Sequence, residues 1–136
     1  MAKTSGLGAT VTCDDAASSP TVISNDVTNF AFSTPRGVQD TTGVDKSAHE
    51  RLLLLSDYSA TLNGVFNATG AHLVFKTVPA SPAVARNLKI QPIAGSTPYL
   101  SCLCLLTDYT VTRSNTGELT YAVPAVLSDG TVPTWN

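Results

Sequence analysis

Apolar and polar positions alternate in short runs along this chain, and the runs are bounded by Gly, Pro, Asn and Asp. A period of two marks a strand with one buried face. Ala9, Val11 and Cys13 alternate with Thr10 and Thr12, and Phe30 and Phe32 with Asn29, Ala31 and Ser33. Tyr58, Ala60, Leu62 and Phe66 alternate with Ser59, Thr61 and Asn63, and Leu88 and Ile90 with Asn87, Lys89 and Gln91. Each run predicts a half-buried strand. Arg36 to Val44 differs, with Val38, Asp40, Thr42 and Val44 on one face and Gln39 and Thr41 on the other, a polar ribbon facing water. Tyr99 to Leu106 is apolar at nearly every position, which predicts an innermost strand covered on both faces.

Near the C-terminus, a loop Arg113 to Gly117 pairs Thr112 with Glu118, Val111 with Leu119 and Tyr109 with Tyr121. That register gathers an apolar face and leaves Asp108, Thr110, Thr112, Glu118 and Thr120 on the polar one. One short amphipathic helix is predicted over Asn67 to Val78, where Ala71, Val74, Phe75 and Val78 share a face before Pro79. Ser47 to Glu50 has the spacing of a capping box ahead of Leu52 to Leu55, yet four leucines also suit a buried strand, and periodicity does not decide between them. Pro79 to Pro82 reads as a connector and Ser128-Asp129-Gly130 as a tight turn, after which Trp135 ties the tail down.

Composition narrows the class. A chain of 136 residues is one domain, and 43% hydrophobic content with a net charge of -2 supports a packed core rather than disorder. Nineteen Thr and 13 Ser favour strands over helices. Eight cations against 10 anions exclude strong non-specific nucleic-acid binding, because no cation array displaces counterions. No apolar run is long enough to cross a bilayer as a helix, and the N-terminus has no apolar signal-peptide core, so folding in cytoplasm is expected. Cys13, Cys102 and Cys104 are an odd set and read as reduced, mostly buried thiols.

The search for reaction chemistry returns structural readings. His49 and His72 lie among helix-type residues with no nucleophile at a recognisable spacing. Cys102-Leu103-Cys104 lacks the second cysteine pair of a structural zinc site. Asp14-Asp15 reads as a solvated turn, and Gly6-Leu7-Gly8 as a flexible terminus without the Lys-Ser/Thr of a phosphate loop. No G-x-S-x-G elbow singles out a serine. The expectation is no enzyme, no metal and no cofactor, with function carried by surfaces that assemble.

Particular strings then resemble a family. Val27-Thr28-Asn29-Phe30-Ala31-Phe32-Ser33-Thr34-Pro35-Arg36-Gly37-Val38-Gln39-Asp40, Val44 to Ala48, and Ser59 to Asn67 resemble the major tail protein of siphophages, particularly those of actinobacterial hosts. Leu106 to Ser114, Gly117 to Thr120 and Leu127 to Thr131 look like the same family, so the match spans residues 21 to 135. The resemblance implies a mainly β fold, an antiparallel β-sandwich or barrel-like domain with one short flanking α-helix. It implies hexameric rings stacked into a hollow tail tube, which surrounds a tape-measure protein, meets tail tip and tail terminator proteins, and conducts double-stranded DNA into the host. The expected location is the virion tail, assembled in the bacterial host cytoplasm. Residues 1–136 make a single tail tube domain, with 1–20 as N-terminal arm and first strand, and no extra C-terminal domain.

Geometry supports a ring on independent grounds, since eight strands closed into a barrel leave room only for side chains or a small ligand. Six copies contributing about four strands each would close a far wider barrel, with edges paired between neighbours. The termini and Arg36 to Lys46, poor in apolar residues, are expected to be ordered by neighbouring subunits. A bore that passes a polyanion without braking it needs hydroxyls or carboxylates rather than cations. The candidate lumen-lining residues are Gln39, Asp40 and Thr42 on the ribbon, with Asp108, Thr110, Thr112 and Glu118 on the hairpin. Either face has an alternative as solvent-facing outer surface. The runner-up function is another virion β-domain, such as a capsid decoration or receptor-binding module; against it, Tyr58, Tyr99, Tyr109 and Tyr121 fall at inward-looking positions.

Overall fold

The computed structural model describes residues 2–80, 84–128 and 130–136. Eight strands form one antiparallel sheet: β1 (Thr10–Asp14), β2 (Pro20–Val22), β3 (Val27–Ser33), β6 (Ser59–Val65), β7 (Arg86–Gln91), β8 (Leu100–Leu106), β9 (Thr110–Arg113) and β10 (Leu119–Leu127). Their order is β2-β1-β7-β8-β10-β6-β3, with β9 also paired to β10. A separate hairpin pairs β4 (Arg36–Asp40) with β5 (Arg51–Ser56), and one helix, α1, spans Ala71–Phe75. Among the described residues no helix is long and apolar enough to cross a membrane.

The sheet has to roll. Laid flat, its seven-strand path would hold β2 and β3 about 29 Å apart. The steps from Val22 to Val27 reach at most about 18 Å. That connection, through a 3-10 turn at Ser24–Asp26, is pinned to β1: the Ile23 N–H donates to the Val11 carbonyl at 2.9 Å and the Val11 N–H to Ser24 Oγ at 2.9 Å. The result is barrel-like. Its inner face buries Val11, Cys13, Ala60, Leu62, Leu88, Ile90, Leu100, Cys104, Val123 and Ala125, and Ala71, Val74 and Phe75 of α1 complete the core.

The alternating runs are strands, as their patterns predict. Several details differ. The helix keeps its apolar face but not its length, because Asn67 Oδ1 accepts from the Thr69 N–H and hydroxyl and so holds a turn ahead of Ala71. At the other end, Arg86 Nη1 donates to the Val74 carbonyl at 2.6 Å, satisfying a group that further helix would have used. β8 is central in the sheet but not covered on both faces: Leu100 and Cys104, on the inner face, are fully buried, while Leu103, on the outer face, is 38% exposed.

The C-terminal hairpin is two residues out of the expected register, with Arg113 opposite Leu119 and Val111 opposite Tyr121. An even shift leaves every side chain on its expected face. The loop closes with the Ser114 N–H on the Glu118 carbonyl, and Gly117 adopts a φ of 95°. Pro124 lies inside β10, where its carbonyl accepts from Thr107 at the junction of β8 and β9. In an antiparallel strand N–H and C=O share an edge, so the missing proline donor falls at that break in the ladder.

Asp15 solvates its turn as expected, accepting from the Ala17 and Ser19 N–H groups, but Asp14 is buried and accepts from the Asn87 N–H at 3.3 Å. Cys13 and Cys104 are buried thiols and Cys102 is half-buried. Tyr58 and Tyr121 point fully inward, whereas Tyr99 and Tyr109 are half-buried. Trp135 does anchor the tail, bridging Leu100 and packing 5.6 Å from the Phe32 ring. The Pro79 to Pro82 connector and the Ser128 to Gly130 turn include residues outside the described set.

Candidate assembly interface

Leu52 to Leu55 resolve into strand β5 with no helical turn before them, because the Glu50 backbone is tied across the hairpin, its N–H donating to the Thr42 hydroxyl and its carbonyl accepting from the Thr41 N–H, both at 2.9 Å. The strand is not buried. Leu52, Leu53, Leu54 and Leu55 are 57, 61, 44 and 90% exposed. Pairing places Leu53 beside Val38 and Leu52 beside Gln39, so Leu53 and Leu55 crown one face and Leu52 and Leu54 the other. A two-stranded ribbon bare on both faces gains little from its own chain. Fully burying one leucine is worth roughly 1.5–3 kcal/mol, a stabilisation this ribbon leaves largely unrealised within its own chain.

Polar contacts hold the ribbon in shape. Arg36 Nε and Nη2 donate to the Leu54 carbonyl at 3.0 and 2.9 Å. At the tip, the Thr42 hydroxyl and N–H both donate to Asp40 Oδ1, and His49 Nδ1 stands 3.4 Å from Asp40 Oδ2. The Thr42 hydroxyl, followed by the Thr42 N–H and His49, holds the Asp40 carboxyl below its usual range. The strand itself ends at Asp40 rather than running to Val44, because this network folds the chain back toward Glu50.

The candidate lumen residues divide between two places. Gln39 and Asp40 lie on β4, on opposite faces, with Thr42 beyond its end. Asp108 lies between β8 and β9, Thr110 and Thr112 on β9, and Glu118 in the loop before β10. Asp108 is locally engaged, accepting from the Tyr109 N–H and the Thr110 hydroxyl at 2.8 Å each. The two sets occupy different sheets, and each is exposed or nearly so. Sequence reasoning missed the leucine ribbon as a surface; the available signal was a non-alternating apolar run next to a polar one.

No family model matches the chain, and no curated protein does. Solved structures do. The chain has the fold of subunits from tail and baseplate particles. A chain from the tail of an empty gene transfer agent particle, of C6 symmetry, superposes with a TM-score of 0.70 at 16% identity, covering 93% of this chain and 94% of that one. A chain from the virion of a native gene transfer agent particle gives 0.66 at 15%, over 93% and 95%. One from the six-fold symmetrised baseplate of the anti-feeding prophage gives 0.68 at 13%, over 100% and 95%.

Proposed function

We propose that this chain is a structural subunit of a bacteriophage tail tube, assembling as hexameric rings that stack into a hollow cylinder. The observation that carries the reading is agreement of the whole fold, end to end, with chains of particles built on six-fold symmetry. The monomer's own surfaces fit the role. One eight-stranded rolled sheet is too narrow to enclose DNA, so a conduit needs several copies. The β4–β5 ribbon, bare in the monomer, is covered by an adjoining subunit; its own pairing and hydrogen bonds, rather than that contact, already order Arg36 to Lys46.

The tube would surround a tape-measure protein during assembly and conduct double-stranded DNA during ejection, meeting tip and terminator proteins at its ends. Assembly takes place in the host cytoplasm and the product resides in the virion tail. The work is mechanical and needs no cofactor. Either the ribbon, through Asp40 and Thr42 or through Gln39 on its other face, or the hairpin, through Asp108, Thr110, Thr112 and Glu118, faces the bore, where neutral and acidic groups let a polyanion slide.

Negative-stain microscopy of the purified protein tests this directly, with rings or long tubes as the expected result. Persistent monomers at concentrations and salt that favour assembly would favour a decoration or receptor-binding module instead.

A further inference from the structure

Away from the assembly surfaces, three side chains converge beneath β8. Cys102 and Cys104 are two residues apart on one strand and share its inner face, their sulfurs 3.7 Å apart. Cys104 is fully buried and Cys102 half-buried, packed against the same core. Tyr58 is fully buried, and its hydroxyl meets no well-aligned oxygen or nitrogen acceptor but lies against the Cys102 sulfur. A buried donor of this kind calls for an acceptor, and a thiolate is far stronger in that role than a neutral thiol.

Among the described residues no group of three or more His, Cys, Asp and Glu is placed to hold a metal ion, so tetrahedral zinc lacks its donors. Two sulfurs are sufficient for a soft monovalent ion in two-coordinate geometry, and sulfur donors select copper(I) among the biological metals. We propose that Cys102 and Cys104 form a copper(I)-type binding site, with the Tyr58 hydroxyl donating to a ligating sulfur.

With metal–sulfur bonds of roughly 2.3 Å, a linear arrangement asks the sulfurs to part by about 1 Å, a small rotamer adjustment. Two sulfur–metal bonds form as two thiol protons leave to solvent, and no oxidation state changes. The bis-thiolate carries one net negative charge, which the phenol O–H stabilises. Leu88, paired with Cys102, and Leu127, paired with Cys104, limit water around it. Cys13 stays outside the site: it lies on β1, with β7 between it and β8, Leu88 pairing with Cys13 on one side and with Cys102 on the other.

The test titrates the full, reduced chain with copper(I) under anaerobic conditions against a chromophoric copper(I) chelator. One ion per chain is expected, with binding weakened at least 100-fold in Cys102→Ser and Cys104→Ser and unchanged in Cys13→Ser. Tyr58→Phe should keep the stoichiometry and bind about 10-fold more weakly, as loss of an outer hydrogen bond does. X-ray absorption of the wild-type complex should show two sulfur neighbours. No binding, wild-type affinity in either serine variant, or an unchanged Tyr58→Phe overturns the site. A first shell of oxygen or nitrogen overturns it even where a serine variant does not fold.

Discussion

Gly64 sits where three elements meet, and its lack of a side chain is what allows them to. A Cβ there would collide with the Asp26 carbonyl oxygen and the Tyr121 hydroxyl, which are hydrogen-bonded to each other at 2.8 Å. Gly64→Ala is expected to cost about 1–3 kcal/mol, read as a lower denaturation midpoint. Asp26 does more than accept from Tyr121. Its Oδ2 takes the Ala71 N–H at 2.9 Å and its Oδ1 the Asn67 side-chain amide at 3.0 Å, so one buried carboxylate caps α1 from a distant turn. Removing it in Asp26→Ala leaves buried donors unmet and should cost about 1–3 kcal/mol by the same measurement. On the ribbon, Asp40 has a lowered folded pKa, so its contacts are present above the unfolded value and lost as pH falls through the folded one. Thr42→Val removes the hydroxyl, the largest cause, and an NMR titration should find the Asp40 carboxyl moved upward.

Elements show how far local pattern carries. The five-residue helix α1 cannot hold itself together in water, and its stability comes from the face it buries. Phe75 is fully enclosed, with rings of Tyr109 and Tyr121 at 5.6 and 5.5 Å. Phe75→Ala should therefore lower stability by roughly 3–5 kcal/mol in equilibrium denaturation. The β4–β5 ribbon is the opposite case, an element whose apolar residues do nothing for the monomer. Leu53→Thr combined with Leu55→Thr should leave the monomer's unfolding midpoint nearly unchanged while abolishing tubes in electron micrographs. A monomer destabilised as much as by Phe75→Ala would place those leucines in its own core.

For the whole molecule, the rolled sheet buries one face and leaves the β4–β5 ribbon exposed. The lumen assignment belongs to this scale, because a strand face becomes a bore only when copies close around it. Asp40→Lys or Asp108→Lys should leave tails straight and slow DNA ejection, by placing rings of cations where the polyanion passes. Normal ejection kinetics from one variant would remove that face from the bore, and from both would place the lumen elsewhere.

The chain's own pattern determined the strands and their inward faces, because alternation depends only on which side of a pleat each residue occupies. Val11 and Cys13, Ala60 and Leu62, Leu88 and Ile90 were legible as core for that reason, and so were Val74 and Phe75 on the helix. The hairpin faces were legible too, and survived a two-residue error in register because the shift was even. Tertiary structure decided whatever joins residues far apart in sequence: Asp26 with Ala71, Gly64 with Tyr121, and Tyr58 with Cys102 and Cys104. It also decided where Leu52 to Leu55 lie, since a continuous apolar run states that burial is needed without stating whether the same chain supplies it.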